Sequence, residues 1–333
     1  MTRYAAFLVV LSAGLGLAQP PQSQTPSPIA KDTLPTKLIR KEMPLGLKKA
    51  DDPKDNPTTE EKVALGRKLF FDPILSGDKT VACATCHHPD NNFAGNEALP
   101  RGIHGTPTKR KAPTIVNRAF GTSFFWDGRA TTLEEQALMP IEDPNEMGAK
   151  LPDVLKRLSD DAGYKSEFAA VFPDGVTKAN LAKALAAFQR CLIRGESPVD
   201  KFMQRGERSA LTQEQLHGVW LYESKGMCWK CHSGQNFTDD VARNTGVSWG
   251  KGDLGRYGIT KKDGDQGRFK TPTLRGVGVS GPYMHDSSLK TLEDVVEFYN
   301  KGGTPNPYLD SAIKPLGLTK EEKKSLVEFL KAL

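Results

Sequence analysis

At 333 residues the chain is long enough for two medium-sized domains, since a single core usually stops growing well before that length. Its formal net charge of +6 is modest and is not gathered into the long basic blocks of a nucleic-acid binder, so nucleic acid is not an expected partner. Past the first residues no segment is long and apolar enough to cross a bilayer, and no membrane span is expected once those residues are removed.

Arg3, the apolar run Ala5 to Leu17 and the small residues of Gly16-Leu17-Ala18 read as a cleaved secretory signal over residues 1–18. Residues 19–57 are rich in Pro, Ser, Lys and Asp with little periodicity, the composition of a flexible leader outside the fold.

Thr58 and Glu61 form a capping-box pattern ahead of Val63, Leu65, Leu69 and Phe70, and Pro73 stops that helix before a first pair of cysteines. Thr177 to Ile193 carries Leu181, Leu185, Phe188 and Leu192 at helical spacing, and Gly195, Pro198 and Gly206 then read as a linker. The boundary falls near residue 205, giving domains over 58–205 and 206–333. Thr212 and Gln215 open a further helix bearing Leu216, Val219 and Trp220, and Gly226 leads into a second cysteine pair, so the plan repeats. Thr291 opens a helix with Val295, Val296 and Phe298, and Thr319 with Glu322 caps one with Leu326, Phe329, Leu330 and Leu333. Alternating strand patterns are nearly absent, and the expected class is mainly α.

Four of the five cysteines lie in Cys83-Ala84-Thr85-Cys86-His87 and Cys228-Trp229-Lys230-Cys231-His232. Each pentapeptide spaces two thiols for thioether bonds to a porphyrin and sets a histidine beside them for the iron, which points to two covalently bound haem c groups. Zinc or thioredoxin-like redox chemistry is the competing reading, but a paired βαβ context is lacking and a four-cysteine zinc site would not require both histidines. Cys191 is left over, as a buried, inert thiol on an apolar helix. His87 and His232 each supply one axial ligand, so the opposite face of each iron decides between moving electrons and binding peroxide. A methionine downstream of the motif is the usual second ligand, which nominates Met284.

The surrounding motifs are Leu65-Gly66, Leu69-Phe70-Phe71-Asp72-Pro73, Ala112-Pro113-Thr114, Phe125-Trp126-Asp127-Gly128-Arg129-Ala130, Glu146-Met147, Thr271-Pro272-Thr273-Leu274-Arg275 and Pro282-Tyr283-Met284-His285-Asp286. In that order they resemble the bacterial di-haem cytochrome c peroxidase and MauG superfamily from about Thr58 to the C-terminus. The resemblance implies two cytochrome c-like domains, each with one covalent c-type haem, the first peroxidatic and the second electron-transferring, in a periplasmic protein. It carries over Gln136, Pro140 and Glu146 to a distal pocket, with Glu146 as acid-base residue, and Trp126 to the space between the haems. His104 falls near a switch-loop histidine that caps the peroxidatic iron, with an interval to Pro113 one residue shorter here. In motif register the second haem takes Tyr299 where classical members have methionine and MauG-type members tyrosine, so Tyr299 and Met284 stand as alternatives. The family also implies calcium between the domains, held by backbone oxygens and by an asparagine where this chain has Lys111. Ser280 and Pro282 keep backbone oxygens available, while Lys111 speaks against calcium and offers an ammonium in its place. His285 belongs to the family motif and supports the haem surroundings; His88 and His217 have surface or packing roles.

Three functions are carried forward. The first is reduction of hydrogen peroxide with electrons from a periplasmic donor such as a small cytochrome c or cupredoxin. The second is MauG-like oxidation of side chains on a partner protein, and the third is a non-catalytic di-haem electron carrier. A second copy of the chain is a further candidate partner.

Overall fold

The computed structural model describes residues 42–333; the expected export signal at 1–18 and the first part of the expected leader, 19–41 of 19–57, lie outside the described residues. The fold is mainly helical. In chain order it contains α1 (Glu60–Phe71), α2 (Cys83–Cys86), α3 (Leu133–Glu142), α4 (Leu151–Asp160), α5 (Ala162–Val171), α6 (Lys178–Arg190), α7 (Pro198–Arg205), α8 (Gln213–Glu223), α9 (Tyr257–Thr260), α10 (Leu292–Asn300) and α11 (Lys320–Lys331). Among the described residues the sheet is one antiparallel pair, β1 (Ala242–Arg243) with β2 (Phe269–Lys270).

Side-chain caps set the helix starts. Thr177, Thr212, Thr291 and Thr319 each accept from the third following amide, and Gln215, Asp294 and Glu322 return the bond to complete capping boxes. The expected cap of α1 is displaced by one residue. Thr58 is held by Asp52, through its amide and its hydroxyl at 2.8 Å each, so Thr59 caps by accepting from Lys62 N at 3.3 Å.

Two larger hydrophobic clusters form. One gathers α1 and α3 to α6 around Leu69, Ile141, Val154, Phe168, Leu181 and Phe188; the other gathers α7, α8, α10 and α11 around Val199, Leu221, Tyr222, Val296 and Phe329. Each turns on a glycine that lets two helices touch. A Cβ on Gly66 of α1 would stand 2.0 Å from the Ala184 carbonyl oxygen of α6, and one on Gly218 of α8 would stand 2.2 Å from the Ser325 carbonyl oxygen of α11.

Two expectations are corrected. The segment read as a linker contains α7, opened by Pro198 behind a Ser197–Asp200 capping box and closed by Gly206 at φ 68°. Its Val199 is fully buried in the second cluster, so the cores change over between Leu192 and Val199, ahead of residue 205. The leader also joins the fold earlier than its composition indicates. Asn56 is fully buried and donates to Glu134 Oε1 at 2.6 Å and to Lys183 O at 3.1 Å, while Leu45 O accepts from Glu196 N at 2.9 Å. Gly46 O accepts from Arg275, whose guanidinium is clamped on both oxygens of Asp200 at 2.7 and 2.9 Å. Hydrogen bonding to buried partners, rather than apolar content, holds this segment.

Candidate functional site

The two cysteine motifs are built alike. His87 N donates to Cys83 O at 3.0 Å and His232 N to Cys228 O at 2.9 Å, closing one turn around each thiol pair. The ring Nδ1 of His87 lies 3.0 Å from Phe93 O, and that of His232 lies 3.1 Å from Phe237 O. A carbonyl only accepts, so each Nδ1 carries the hydrogen and each Nε2 presents its lone pair, the tautomer a metal-bound histidine needs. Phe93 and Phe237 adopt left-handed φ of 52° and 49°, an uncommon geometry for a bulky residue, and so aim their carbonyls at the imidazoles. Burial keeps both rings neutral, lowering the His87 pKa and pulling His232 down to about 4.

All five cysteines are free thiols. Burial pushes Cys83, Cys86 and Cys228 up to about 12, the reverse of the acidic thiol that a C-x-x-C redox centre uses. Among the described residues no three His, Cys, Asp or Glu side chains are grouped for a metal ion; a haem iron asks for only one protein ligand on each face. Cys191 is half-buried, and burial raises its thiol to about 11.

A cavity of about 370 Å³ opens beside the first motif, and Cys86, His87, Trp126, Gln136, Pro140 and Glu146 all line it. Gln136 and Pro140 come from α3, and Glu146 from the turn that follows. The Glu146 backbone is fixed there by N to Asp143 O at 3.0 Å and by O accepting from Ile103 N at 2.8 Å. Burial, with help from Asp143 and against Arg129, pushes the Glu146 carboxyl up to about 7.

Trp126 is held from two distant parts of the chain. Its Nε1 donates to Lys111 O at 2.8 Å, its own carbonyl accepts from Lys270 N at 2.7 Å, and its ring meets His285 edge to face at 6.1 Å. His285 is buried and stacks on Phe269 at 3.5 Å between ring centres. Lys111 is buried too, and its Nζ donates to Ser280 O and Pro282 O.

The remaining candidates are dispersed. The structure does not bring His104 to the cavity: its side chain is 73% exposed, with Nδ1 3.8 Å from Asp78. Tyr299 sits on α10 near the second cysteine pair; burial and the neighbouring Cys231 push its phenol up to about 12, against a hydrogen bond with Thr245. Met284 lies in the turn over 283–289, on the loop that meets Lys111. His217 stacks on Trp220 and pairs with Ser325 at 3.2 Å, and His88 is half-buried.

Sequence reading missed Arg118 and Lys270. Both line the cavity and share Asp240, through Arg118 Nη2 to Oδ2 at 3.2 Å and Lys270 Nζ to Oδ1 at 3.0 Å. Two buried cations thus face one carboxylate. Their only sequence signal is that Lys270 immediately precedes the Thr271-Pro272-Thr273 motif.

A family model described as di-haem cytochrome c peroxidase matches residues 60–208. The methylamine utilization protein MauG of Methylorubrum extorquens is 41% identical over 285 residues, covering 84% of this chain and 80% of that protein. The cytochrome c peroxidase Ccp of Escherichia coli is 36% identical over 254 residues, covering 74% of this chain and 54% of that protein. Among solved structures, a MauG-like protein associated with microbial copper homeostasis superposes with a TM-score of 0.81 at 31% identity, over 89% of this chain and 95% of that one.

Proposed function

Because the chain belongs to the di-haem cytochrome c peroxidase and MauG family, and is an oxidoreductase of the peroxidase type, we propose that it reduces hydrogen peroxide at the cavity of His87 with electrons entering on the side of His232. One haem c is assigned to Cys83, Cys86 and His87 and a second to Cys228, Cys231 and His232, in two cytochrome c-like domains. The residues suit the group: in each motif two thiols precede an imidazole whose Nδ1–H is directed at a carbonyl, which makes Nε2 the lone-pair nitrogen. Arg118 and Lys270 against Asp240 leave excess positive charge at the cavity for the porphyrin carboxylates. When bound, the first haem supplies an iron that takes up peroxide and passes electrons to it.

The observation that carries the reading is that Glu146, Gln136 and Pro140 share one cavity with His87. A carboxyl with a pKa of about 7 is suited to accept a proton from one peroxide oxygen and return it to the other, so that the O–O bond breaks with water as the leaving group. Each peroxide consumes two electrons and two protons and yields two waters. In this reading Trp126 would carry electrons between the two groups, and His104, directed toward Asp78 and away from the cavity, would not serve as a ligand in this arrangement. We place the mature protein in the periplasm, with a small cytochrome c or cupredoxin as donor.

The test is haem content by mass and absorbance, with peroxide consumption coupled to oxidation of a reduced small donor protein. Two attached haems and donor oxidation that depends on peroxide are expected. Attached haems that react with peroxide in no oxidation state would leave a di-haem electron carrier.

Tyr299 favours a second reading, MauG-like oxidation of side chains on a partner protein. Its phenol lies beside Cys231 and Cys228, while Met284 lies on the loop at Lys111. An anionic phenolate favours the higher oxidation states of iron and suits a second haem that shares oxidising equivalents. Peroxide reactivity without prior reduction would support this reading; a requirement for half-reduction would oppose it.

A further inference from the structure

Among the described residues, no carboxylate pairs with the buried side chain of Lys111. The residue is 5% exposed, and burial lowers its pKa. Its charge is met by main-chain dipoles instead: Nζ donates to the oxygens of Ser280 and Pro282. The Lys111 backbone is tied to the same surroundings, with N donating to His285 O at 2.8 Å and O accepting from Trp126 Nε1 at 2.8 Å. One residue therefore joins the loop over 280–285 to the indole.

Main-chain oxygens converging on one point are the hard donors that a calcium ion takes, and the family resemblance implies calcium at these carbonyls. Ion and ammonium do not fit together. The ammonium holds both oxygens, and a divalent cation brought to them would face a like charge at contact distance with no carboxylate paired to it.

We propose that the Lys111 ammonium is this protein's own internal cation, standing where calcium would bind and positioning Trp126 without any metal. Lys111 is a positioning residue: it borders the cavity, but its ammonium is engaged by Ser280 O and Pro282 O and its carbonyl by Trp126 Nε1, so that it acts through the indole it holds. The inference rests on the proposed peroxidase only for its activity readout.

The experiment uses the full holoprotein, dialysed against a calcium chelator and analysed for metals, with peroxide turnover measured with chelator and with added calcium chloride. Iron without stoichiometric calcium, and turnover unchanged by either addition, are expected. Stoichiometric calcium that survives dialysis, or turnover lost on chelation and restored by calcium, overturns the proposal. Two variants test the position itself. Lys111→Met, with both haems retained, is expected to lose turnover by about tenfold or more through a misplaced indole, and calcium should not restore it. Lys111→Asn vacates the carbonyls and supplies an oxygen, so it should take up calcium and become sensitive to chelator. A Met variant with wild-type turnover, or an Asn variant that stays calcium-free, defeats the proposal. If no form of the protein turns over peroxide, the functional reading fails, while metal content of the wild type and the Asn variant still decides this one.

Discussion

The Glu146 carboxyl and the His87 imidazole face the same cavity, one delivered by the turn after α3 and the other by the thiol-bearing turn of α2. Replacing Glu146 by Gln keeps the shape and removes the proton acceptor. The peroxide reaction should slow by about a hundredfold or more with haem content unchanged, read by stopped-flow absorbance. Unchanged kinetics would remove Glu146 from the mechanism.

The same carboxyl sets a pH dependence. Burial raises its pKa to about 7, so it is protonated, and unable to accept, below that pH. The peroxide rate should rise with pH through a midpoint near 7, and Glu146→Gln should flatten that limb. A fall in rate over the same interval would give Glu146 the opposite role.

Tyr299→Phe should alter the spectrum of one haem and leave the peroxide reaction of the other in place, because the phenol lies by Cys231 while the cavity of His87 is lined by other residues. Low-temperature electron paramagnetic resonance separates the two irons. If Met284→Leu produces the change and Tyr299→Phe does not, the ligand assignment reverses.

Arg275→Met would strand Asp200 in the interior. Burial drives the Asp200 carboxyl up, but the Arg275 guanidinium and the bonds to Ser197 outweigh it and hold the pKa below its ordinary value. A carboxylate with a depressed folded pKa contributes stability above its unfolded pKa and loses it as pH falls through the folded one. The variant should therefore lose about 3–5 kcal/mol at neutral pH, and much less in acid, where the wild type has already lost this contribution. Denaturant melts at the two pH values check both parts.

Gly66→Ala and Gly218→Ala should each cost about 1–3 kcal/mol, since the added methyl would press on a carbonyl oxygen of the crossing helix. Melting temperature reads the loss. A neutral outcome at either site would mean that its helices separate without penalty.

The helical class and most helix starts were legible because a cap is a local object: Thr212 with Gln215, or Thr319 with Glu322, satisfies amides within one turn. Thr58 misled because the choice between two adjacent threonines was made by Asp52, a residue outside the pattern. The helix α7 and the segment around Asn56 were hidden for a related reason. Proline, glycine and polar composition signal loops on average, whereas here Val199 fills the second core and Asn56 finds partners far along the chain. At the site, the thiol pairs and their histidines were visible as contiguous motifs. The grouping of Arg118, Lys270 and Asp240 was not, because their approach is a product of tertiary packing and leaves no spacing rule in the sequence.

The two glycine crossings also impose an order in time. As the chain is synthesised, α1 can close on α6 once residue 190 has emerged, whereas α8 stays without its partner until α11 follows. The first cluster draws on residues no later than Leu192 and the second on residues up to Leu333, so the two cysteine motifs should meet whatever modifies them in different states of compaction.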